Sequence, residues 1–281
     1  MKIFRTRAEV HTYLEQMKAE GRTVGFVPTM GALHKGHLSL INAARQKTNI
    51  VVCSIFVNPT QFNDKKDLEN YPRPIENDIK QLEKADCDVL FLPEVDEMYD
   101  TQDEWHLELN NLDNILEGEI RPGHYQGVTQ IVKKLFDFIR PDVAFFGQKD
   151  FQQLVVISYM VKTLGINVQL VRCPIIREKD GLAMSSRNVY LSPSERQYAL
   201  ALFKSLEKTK VDFTNLSISQ VKQNARNYLL NAPGIELEYF ELFDADKFEP
   251  ALLKQTSNVI ALVAARVGNI RIIDNMILTD N

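Results

Sequence analysis

The chain has 281 residues, 44% of them hydrophobic and 25% charged, which is typical of a globular protein long enough for two domains. Its net charge of −4 argues against a protein that binds nucleic acid mainly through phosphate contacts. No apolar run approaches the length of a membrane span, and residues 1–5 do not begin a signal peptide. Cys53, Cys87 and Cys173 lie far apart among apolar residues, a pattern typical of reduced core thiols. We therefore expect a cytoplasmic protein without a membrane or nucleic-acid partner.

The first two-thirds of the chain alternates predicted helices and strands. An amphipathic helix over 8–20 precedes Gly21, a natural helix stop. Repeated strand–helix units then predict a Rossmann-like parallel sheet with helices on both faces. We expect the first of these strands to end at Pro28, because proline cannot donate to a sheet ladder. The predicted strands are 24–27, 50–57, 89–92, 143–146 and 168–171, and the further helices start after 36 and span 75–84, 128–140 and 151–164.

The pattern changes after residue 176. Ser192 begins a capping box that opens a helix to about residue 208, and Ser217 begins a second one. Strand-like runs follow at 235–242, 259–267 and 270–278, with the hairpin dipeptide Gly268-Asn269 between the last two. We therefore expect two domains, a Rossmann-like domain over 1–176 and a smaller C-terminal α+β domain with an antiparallel sheet over 177–281.

The stretch from Pro28 to His37 joins a predicted strand to a predicted helix. His34 and His37 are three residues apart, which places both rings on one side of the first helical turn. Helix N-termini favour a bound phosphate, and imidazoles can donate hydrogen bonds to it. A P-loop is excluded because His37-Leu38 stands where Lys and Ser or Thr are required, and no Cys or His cluster completes a zinc site. A polar helix cap on an ordinary crossover remains the alternative.

Three further polar clusters follow predicted strands, at the sheet edge where parallel sheets bind ligands. Asn58 and Gln61 each offer a donor and an acceptor, although an Asn-Pro turn alone explains this cluster better. Lys149 and Asp150 suit a phosphate and a ribose hydroxyl, and an ordinary helix N-terminus is an equal alternative. The polar segment 177–188 can close over a triphosphate or serve as a solvated linker.

Several sequence patterns resemble known families. The His-x-Gly-His pattern resembles the ATP-binding signature of class I aminoacyl-tRNA synthetases and related nucleotidyltransferases. Met184 to Arg187 resembles their mobile Lys-Met-Ser-Lys-Ser loop, with Ala183 and Ser186 at the two lysine positions. Taken in order with Phe-Val-Asn-Pro-x-Gln-Phe, Arg121-Pro122-x-His124 and Gly-x-Lys-Asp-Phe-Gln-Gln, these patterns resemble the pantoate–β-alanine ligase family of pantothenate synthetases. Gln148 stands where many members carry glutamate.

The resemblance implies an activity and partners. The expected ligase condenses pantoate with β-alanine to give pantothenate, a coenzyme A precursor, and releases AMP and pyrophosphate through a pantoyl-adenylate intermediate. Mg²⁺ would bridge the triphosphate of the substrate ATP. The resemblance also implies a cytoplasmic homodimer. We further expect that residues 179–188 order, and that the C-terminal domain acts as a lid, when ATP or the adenylate binds.

The resemblance also implies residue roles. His34, Lys149, Ser185 and Arg187 would contact phosphate, and His37 would act as the proton donor. Gln61 and Gln153 would hold pantoate, with Gln61 also meeting β-alanine, and three apolar residues would form a wall for the pantoate methyl groups. No protein ligand of a metal is implied. The expected ATP contacts are Met30, Gly31, Ala32, Leu33, His34, Lys35, Gly36, His37, Gly147, Gln148, Lys149, Asp150, Ile176, Met184, Ser185, Ser186 and Arg187; the expected substrate contacts are Asn58, Gln61, Val128, Ile131, Val132 and Gln153.

Two alternative functions remain at this point. A nucleotidyltransferase of the same superfamily would share the histidines but leave the nucleotide on its product. A non-catalytic or RNA-binding module derived from a synthetase is the other alternative, and the net acidity and the number of polar clusters argue against it.

Overall fold

The computed structural model describes residues 1–99, 104–252 and 258–279. The chain divides into two compact units. The first comprises residues 1–148 and 152–174, and the second comprises residues 149–151 and the described residues from 175 onwards. None of the helices in these ranges is long and apolar enough to cross a membrane.

The first unit is built on a six-stranded sheet whose strand pairs are all parallel. The strands are β1 (Lys2–Phe4), β2 (Val24–Thr29), β3 (Ile50–Ile55), β4 (Val89–Phe91), β5 (Val143–Gly147) and β6 (Gln169–Cys173). Their order in the sheet is β1-β4-β3-β2-β5-β6. The chain therefore moves to one side of β2 through β3 and to its other side through β5. This reversal beside β2 is the switch point at which open α/β sheets bind ligands.

Helices cover both faces of this sheet, as the strand–helix alternation predicts. The faces can be separated at β3, because neighbouring side chains of a strand point to opposite sides. Val52 packs in one apolar cluster with Leu135, and Val51 packs in another with Ile41 and Leu82. The helices are α1 (Arg7–Ala19), α2 (Lys35–Lys47), α3 (Lys65–Asn70), α4 (Ile75–Lys84), α5 (Val95–Met98), α6 (Glu117–Ile120), α7 (His124–Ile139) and α8 (Phe151–Thr163).

The prediction that β2 ends at Pro28 is wrong. Pro28 pairs with Ser54 of β3, and the strand continues to Thr29. The carbonyl of Thr29 accepts a hydrogen bond from the Phe56 amide on the β3 side, so the nitrogen of Pro28 faces the opposite side. On that side the pairing of β2 with β5 stops at Phe26. The proline therefore lies where no ladder hydrogen bond is required.

The second unit contains two helices and an antiparallel sheet of order β7-β8-β9. Its elements are α9 (Pro193–Asn215), α10 (Ile218–Leu230), β7 (Glu236–Asp244), β8 (Val259–Val267) and β9 (Ile270–Ile277). The capping boxes predicted at Ser192 and Ser217 are both formed. Helix α9 continues past the predicted end near residue 208, because Thr209 and Phe213 are buried with its apolar face.

Candidate active site

The two histidines lie in the first turn of α2 and are bonded to backbone there. His34 is the N-cap residue, and its Nδ1 accepts the Gly36 amide at 3.1 Å. The Nδ1 of His37 accepts the amide of His34 at 3.3 Å, and the two rings stack with their centroids 4.1 Å apart. Because each Nδ1 is an acceptor, the proton of the neutral ring is on Nε2. The two histidines therefore cap α2 through Nδ1, and the Nε2–H of each ring is a hydrogen-bond donor.

A buried carboxylate on α4 holds the turn between β2 and α2. The two oxygens of Asp78 accept the amides of Ala32 and Leu33, each at 2.8 Å, and the side chain is 0% exposed. Burial raises the pKa of Asp78, and these two amide hydrogen bonds partly oppose that rise. Gln81 of α4 also donates to the carbonyl of Leu33 at 3.1 Å. The turn has a fixed shape because each of these contacts binds its backbone directly.

The sequence prediction did not identify Asp78 as part of the site. The sequence gives one indication that Asp78 has a structural role, which is its position on α4. Ile75, Ile79 and Leu82 form the apolar stripe of this helix, and Asp78 lies on the same face. A carboxylate on a buried face needs hydrogen-bond donors, but the sequence does not tell which distant amides supply them.

The turn after β3 brings the Gln61 side chain against Met30. Residues Pro59–Gln61 form a 3₁₀ turn, and Nε2 of Gln61 donates to Sδ of Met30 at 2.9 Å. Asn58 is buried, and its Nδ2 donates to Oε1 of Gln61 at 3.3 Å. Its Oδ1 accepts from Tyr99 Oη at 2.5 Å. The structure therefore shows Asn58 supporting Gln61, and its role as a direct substrate contact stays a prediction.

The start of α7 fixes the backbone of the same turn. The carbonyl of Gln61 accepts from Nδ1 of His124 at 2.8 Å and from Arg121 at 3.4 Å. Arg121 Nη1 lies 3.2 Å from Nε2 of His124, so Nε2 accepts from the guanidinium while Nδ1–H donates to Gln61. A Cβ added to Gly127 would lie 2.4 Å from the Thr60 carbonyl oxygen, so this glycine permits the close packing. Helix α7 begins at His124, four residues before its predicted start.

The expected apolar wall lies along one buried face of α7. Val128, Ile131 and Val132 belong to the main apolar cluster of the first unit. Their contact with substrate methyl groups stays a prediction.

The two adjacent glutamines of α8 have different environments. Gln152 is buried and donates to the carbonyls of Leu112 at 2.8 Å and Ile115 at 2.9 Å. Gln153 is half-buried, and it is the one expected to bind pantoate. At the end of β5, a Cβ built on Gly147 would meet no atom within 4 Å, which is compatible with close approach of a ligand.

In the second unit, a narrow hairpin leads to the Met-Ser-Ser-Arg segment. The Met184 amide donates to the Ile176 carbonyl at 3.0 Å, which sets side by side the two residues expected to flank the nucleotide. Ser185 then begins the 3₁₀ turn Ser186–Tyr190, and its Oγ accepts the Arg187 amide at 3.3 Å. Asn188 Nδ2 donates to the Ala183 carbonyl at 3.0 Å. Within this segment, the Ser185 side chain caps the 3₁₀ turn and the Asn188 side chain bonds back to residue 183.

Lys149 and Asp150 form another 3₁₀ turn, and Nζ of Lys149 lies 3.8 Å from Oδ1 of Asp150. The lysine side chain is 20% exposed, so its ammonium lies partly out of water. The contacts with phosphate and ribose that these two residues are expected to make stay predictions.

Metal-ligating side chains do not cluster in the described ranges. No group of three or more His, Cys, Asp or Glu side chains in these ranges could hold a metal ion. Cys53, Cys87 and Cys173 are buried free thiols, as predicted. Burial raises the pKa of Cys87 to about 12, and it raises the pKa values of Cys53 and Cys173 as well. These thiols therefore stay protonated and are poor nucleophiles.

Comparisons with known proteins place the chain in a family. The family model described as pantoate-beta-alanine ligase matches residues 2–277. The chain is 47% identical to a pantothenate synthetase from Thermotoga petrophila over 99% of this chain and 100% of that protein. It is 43% identical to a pantothenate synthetase from Bacteroides fragilis over 98% of each.

Two solved structures have the same fold. The crystal structure of pantothenate synthetase from Thermus thermophilus superimposes with a TM-score of 0.94, at 38% identity and with 100% of both chains covered. That of pantoate-beta-alanine ligase from Francisella tularensis, complexed with beta-gamma ATP and beta-alanine, gives a TM-score of 0.82 at 34% identity. The match covers 99% of this chain and 98% of that one.

Proposed function

The chain belongs to the pantoate-β-alanine ligase family and condenses pantoate with β-alanine at the expense of ATP, and we propose that the reaction passes through pantoyl adenylate beside the first turn of α2. The stacked pair His34 and His37 is the observation that carries this proposal. Both rings lie at a helix N-terminus at the switch point of a parallel sheet, and both have Nδ1 occupied by backbone amides. Their Nε2–H groups are suited to donate to phosphate oxygens.

The chemistry requires activation of a carboxylate. An amine does not displace oxygen from a free carboxylate, because that oxygen is a very poor leaving group. In the first step a carboxylate oxygen of pantoate bonds to the α-phosphorus of ATP, and the bond to pyrophosphate breaks. In the second step the neutral amine of β-alanine bonds to the acyl carbon, and the carbon–oxygen bond to AMP breaks. The amine loses a proton, and pantothenate and AMP are released.

Negative charge develops on the α-phosphate and the leaving pyrophosphate in the first step, and fixed donors are the main means of stabilising it. We assign this role to the imidazoles of His34 and His37, with His37 as the proton donor. Lys149, Ser185 and Arg187 are assigned to phosphate oxygens. The rigid hold of Asp78 on the Ala32 and Leu33 amides supports this assignment, because donors stabilise a transition state best when they are already in place.

The remaining assignments concern the substrates. Gln61 and Gln153 hold pantoate through their amides, and Asn58 supports Gln61. Three α7 side chains form the apolar wall for the pantoate methyl groups: Val128, Ile131 and Val132. Gly147 and Asp150 hold the ribose. The remaining ATP contacts in this proposal are Met30, Gly31, Ala32, Leu33, Lys35, Gly36, Gln148, Ile176, Met184 and Ser186.

ATP enters as its Mg²⁺ complex in this proposal. The absence of a three-ligand metal cluster from the described ranges fits an ion held mainly by phosphate oxygens and water. We also propose a cytoplasmic homodimer, as the family resemblance implies, with 1–176 as the ATP and pantoate domain and 177–281 as a lid. The three buried free thiols suit a reducing compartment.

ATP–pyrophosphate exchange tests the reaction order. Exchange should require pantoate, and later addition of β-alanine should release AMP. Pantoate-independent exchange, or a product that keeps the nucleotide, would instead indicate a nucleotidyltransferase. Nucleotide binding without any turnover would indicate a non-catalytic module.

Replacing His37 tests the assigned donor. In His37→Ala, single-turnover formation of pantoyl adenylate should fall by on the order of a hundredfold, because one fixed donor to a developing charge is lost. His11→Ala is the control, since its Nδ1 lies 3.0 Å from the Phe138 carbonyl at the far end of α7. A folded His37→Ala protein with a normal rate would remove His37 from the chemistry.

A further inference from the structure

Two consecutive buried polar residues, Asp274 and Asn275, lie within the continuous strand β9. Asp274 is 4% and Asn275 is 2% exposed, and their partners on β8 are Val263 and Leu262. Burial raises the pKa of Asp274 in spite of its bound arginine, so the carboxylate is there at an energetic cost. Apolar residues would form the same strand without that cost. The pair therefore calls for an explanation beyond the stability of the sheet.

The side chain of Asn275 binds the backbone of the lysine assigned to phosphate. Its Nδ2 donates to the carbonyl oxygen of Lys149 at 2.9 Å, across 126 positions of sequence. The neighbouring ring of Phe151 stacks on Phe248 with centroids 6.1 Å apart. These contacts hold the segment 149–151 to the second unit, with which it is grouped.

Asn275 is itself fixed on both sides of its peptide backbone. Its amide donates to Oδ1 of Asp274 at 2.7 Å, and its carbonyl accepts from Nη2 of Arg177 at 3.3 Å. Arg177 also holds both oxygens of Asp274, at 2.6 and 3.0 Å, and its guanidinium lies 4.4 Å from the ring of Phe203. The Asn275 side-chain amide, which donates to the Lys149 carbonyl, therefore belongs to a residue whose backbone is held by a hydrogen-bonded network.

We propose that Asn275 is a positioning residue for Lys149, and that Asp274 and Arg177 hold Asn275 in place for this purpose. The inference rests on the proposed function, in which the Lys149 ammonium contacts phosphate. A lysine has four rotatable side-chain bonds, so its charge is well placed only if its backbone is fixed. The hydrogen bond from Asn275 supplies this restraint at Lys149, which precedes Asp150, the residue assigned to the ribose.

The first test compares the two half-reactions in Asn275→Leu, which keeps similar bulk and removes the donor. Formation of pantoyl adenylate from ATP should slow by roughly tenfold to a hundredfold, because a small displacement of a catalytic group has an effect of this size. Attack of β-alanine on supplied pantoyl adenylate should stay within about twofold of normal, since in the proposed function Lys149 serves mainly the phosphate charge that develops in the first step. Equal loss in both half-reactions would overturn the inference.

Thr209→Val is the matched control for general destabilisation. Thr209 is a buried polar residue of the same unit, and its Oγ1 donates to the Ser205 carbonyl at 2.7 Å within α9. Thermal unfolding should show a loss of stability in both variants. Only Asn275→Leu should slow adenylate formation. A similar slowing in Thr209→Val would reduce the role of Asn275 to ordinary folding stability and overturn the inference.

A double-mutant cycle separates this inference from the proposed function. If Asn275 acts through the Lys149 ammonium, adding Asn275→Leu to Lys149→Ala should slow adenylation no further. Additive losses would overturn the positioning role while leaving Lys149 at the phosphates. A normal adenylation rate in Lys149→Ala alone would remove Lys149 from the proposed function, and the inference would fail with it.

Discussion

Replacing Asp78 with asparagine should loosen the turn that carries the histidines. Each Asp78 oxygen accepts one amide, from Ala32 and Leu33, at 2.8 Å. Asparagine keeps one acceptor and points an NH₂ group at the other amide, so one hydrogen bond is lost and the other is no longer charge-assisted. Ala32 has φ of +50°, a conformation that side chains other than glycine rarely adopt. The freed turn can therefore relax away from its present shape.

The magnitude follows from these two bonds. A hydrogen bond to a charged group contributes about 1.5–3 kcal/mol, so the lost bond and the weakened one together cost about 2–4 kcal/mol. Removing a buried charge recovers part of this, and relief of strain at Ala32 recovers about 1 kcal/mol more. We expect a net stability loss of about 0.5–2 kcal/mol. Adenylate formation should fall by on the order of a hundredfold, because His34 and His37 follow the turn.

Single-turnover adenylate formation and chemical unfolding together check this prediction. Asp142→Asn is the control, because Asp142 Oδ2 accepts the Val24 amide at 2.7 Å at the opposite end of β2. The control should lose stability but keep its adenylation rate. If Asp78→Asn also kept its rate while losing stability, the histidines would not depend on this carboxylate.

The pH dependence gives a second readout. Burial raises the pKa of Asp78 above its ordinary value of 3.8, so the folded state binds a proton there more tightly than the unfolded state. The resulting stabilisation is complete below pH 3.8 and is lost as the pH rises through the folded-state pKa. The stability of the original protein relative to Asp78→Asn should therefore decrease as the pH rises through this window. An increase would contradict the assigned burial of the charge.

Three more outcomes follow from the site. Lys149→Ala should impair adenylation strongly while β-alanine still attacks supplied pantoyl adenylate, and equal loss in both half-reactions would contradict its assignment to phosphate. His124→Leu should raise KM for pantoate about tenfold by freeing the Gln61 carbonyl, whereas His124→Asn, whose Nδ2–H can replace Nδ1–H, should keep most of the affinity. If both raised KM equally, the His124 donor would not matter. Residues 179–188 should gain protection from hydrogen exchange when ATP or the adenylate binds, and unchanged protection with bound adenylate would sink the lid hypothesis.

The sheet and most helices could be predicted because their cause is local. Apolar runs bounded by turn residues gave the strands, and helix 75–84 and strand 259–267 have the predicted ends. The short elements β1, α3, α5 and α6 have no such pattern. β1 has three residues, of which two are exposed, so neither an apolar run nor an alternation marks it. Its pairing with β4 depends on a strand more than eighty positions away.

The residues of the candidate site likewise fall into those with a local sequence pattern and those whose contacts are distant in sequence. The residues to which we assign chemistry, such as His37 and Lys149, lie in recognisable local sequence patterns. The residues that hold them do not. Asp78 is 46 positions from Ala32, His124 is 63 from Gln61, and the Asn275 contact spans 126. Each binds a backbone amide or carbonyl, which every residue has, so the identity of the partner in the sequence gives no sign of the contact.

His34 shows that the helix-cap and phosphate-site interpretations describe one geometry. Histidine is not among the preferred N-cap residues, whereas serine caps well but offers no ring Nε2–H. Replacing His34 with serine should therefore keep the cap on the Gly36 amide and leave thermal stability equal or higher, while adenylate formation falls by on the order of a hundredfold. His34→Ala should lose both, with a stability cost of about 0.5–2 kcal/mol relative to serine. Unfolding and single-turnover rates measured on both variants separate the two roles. A serine variant with a normal rate would leave His34 as a cap alone.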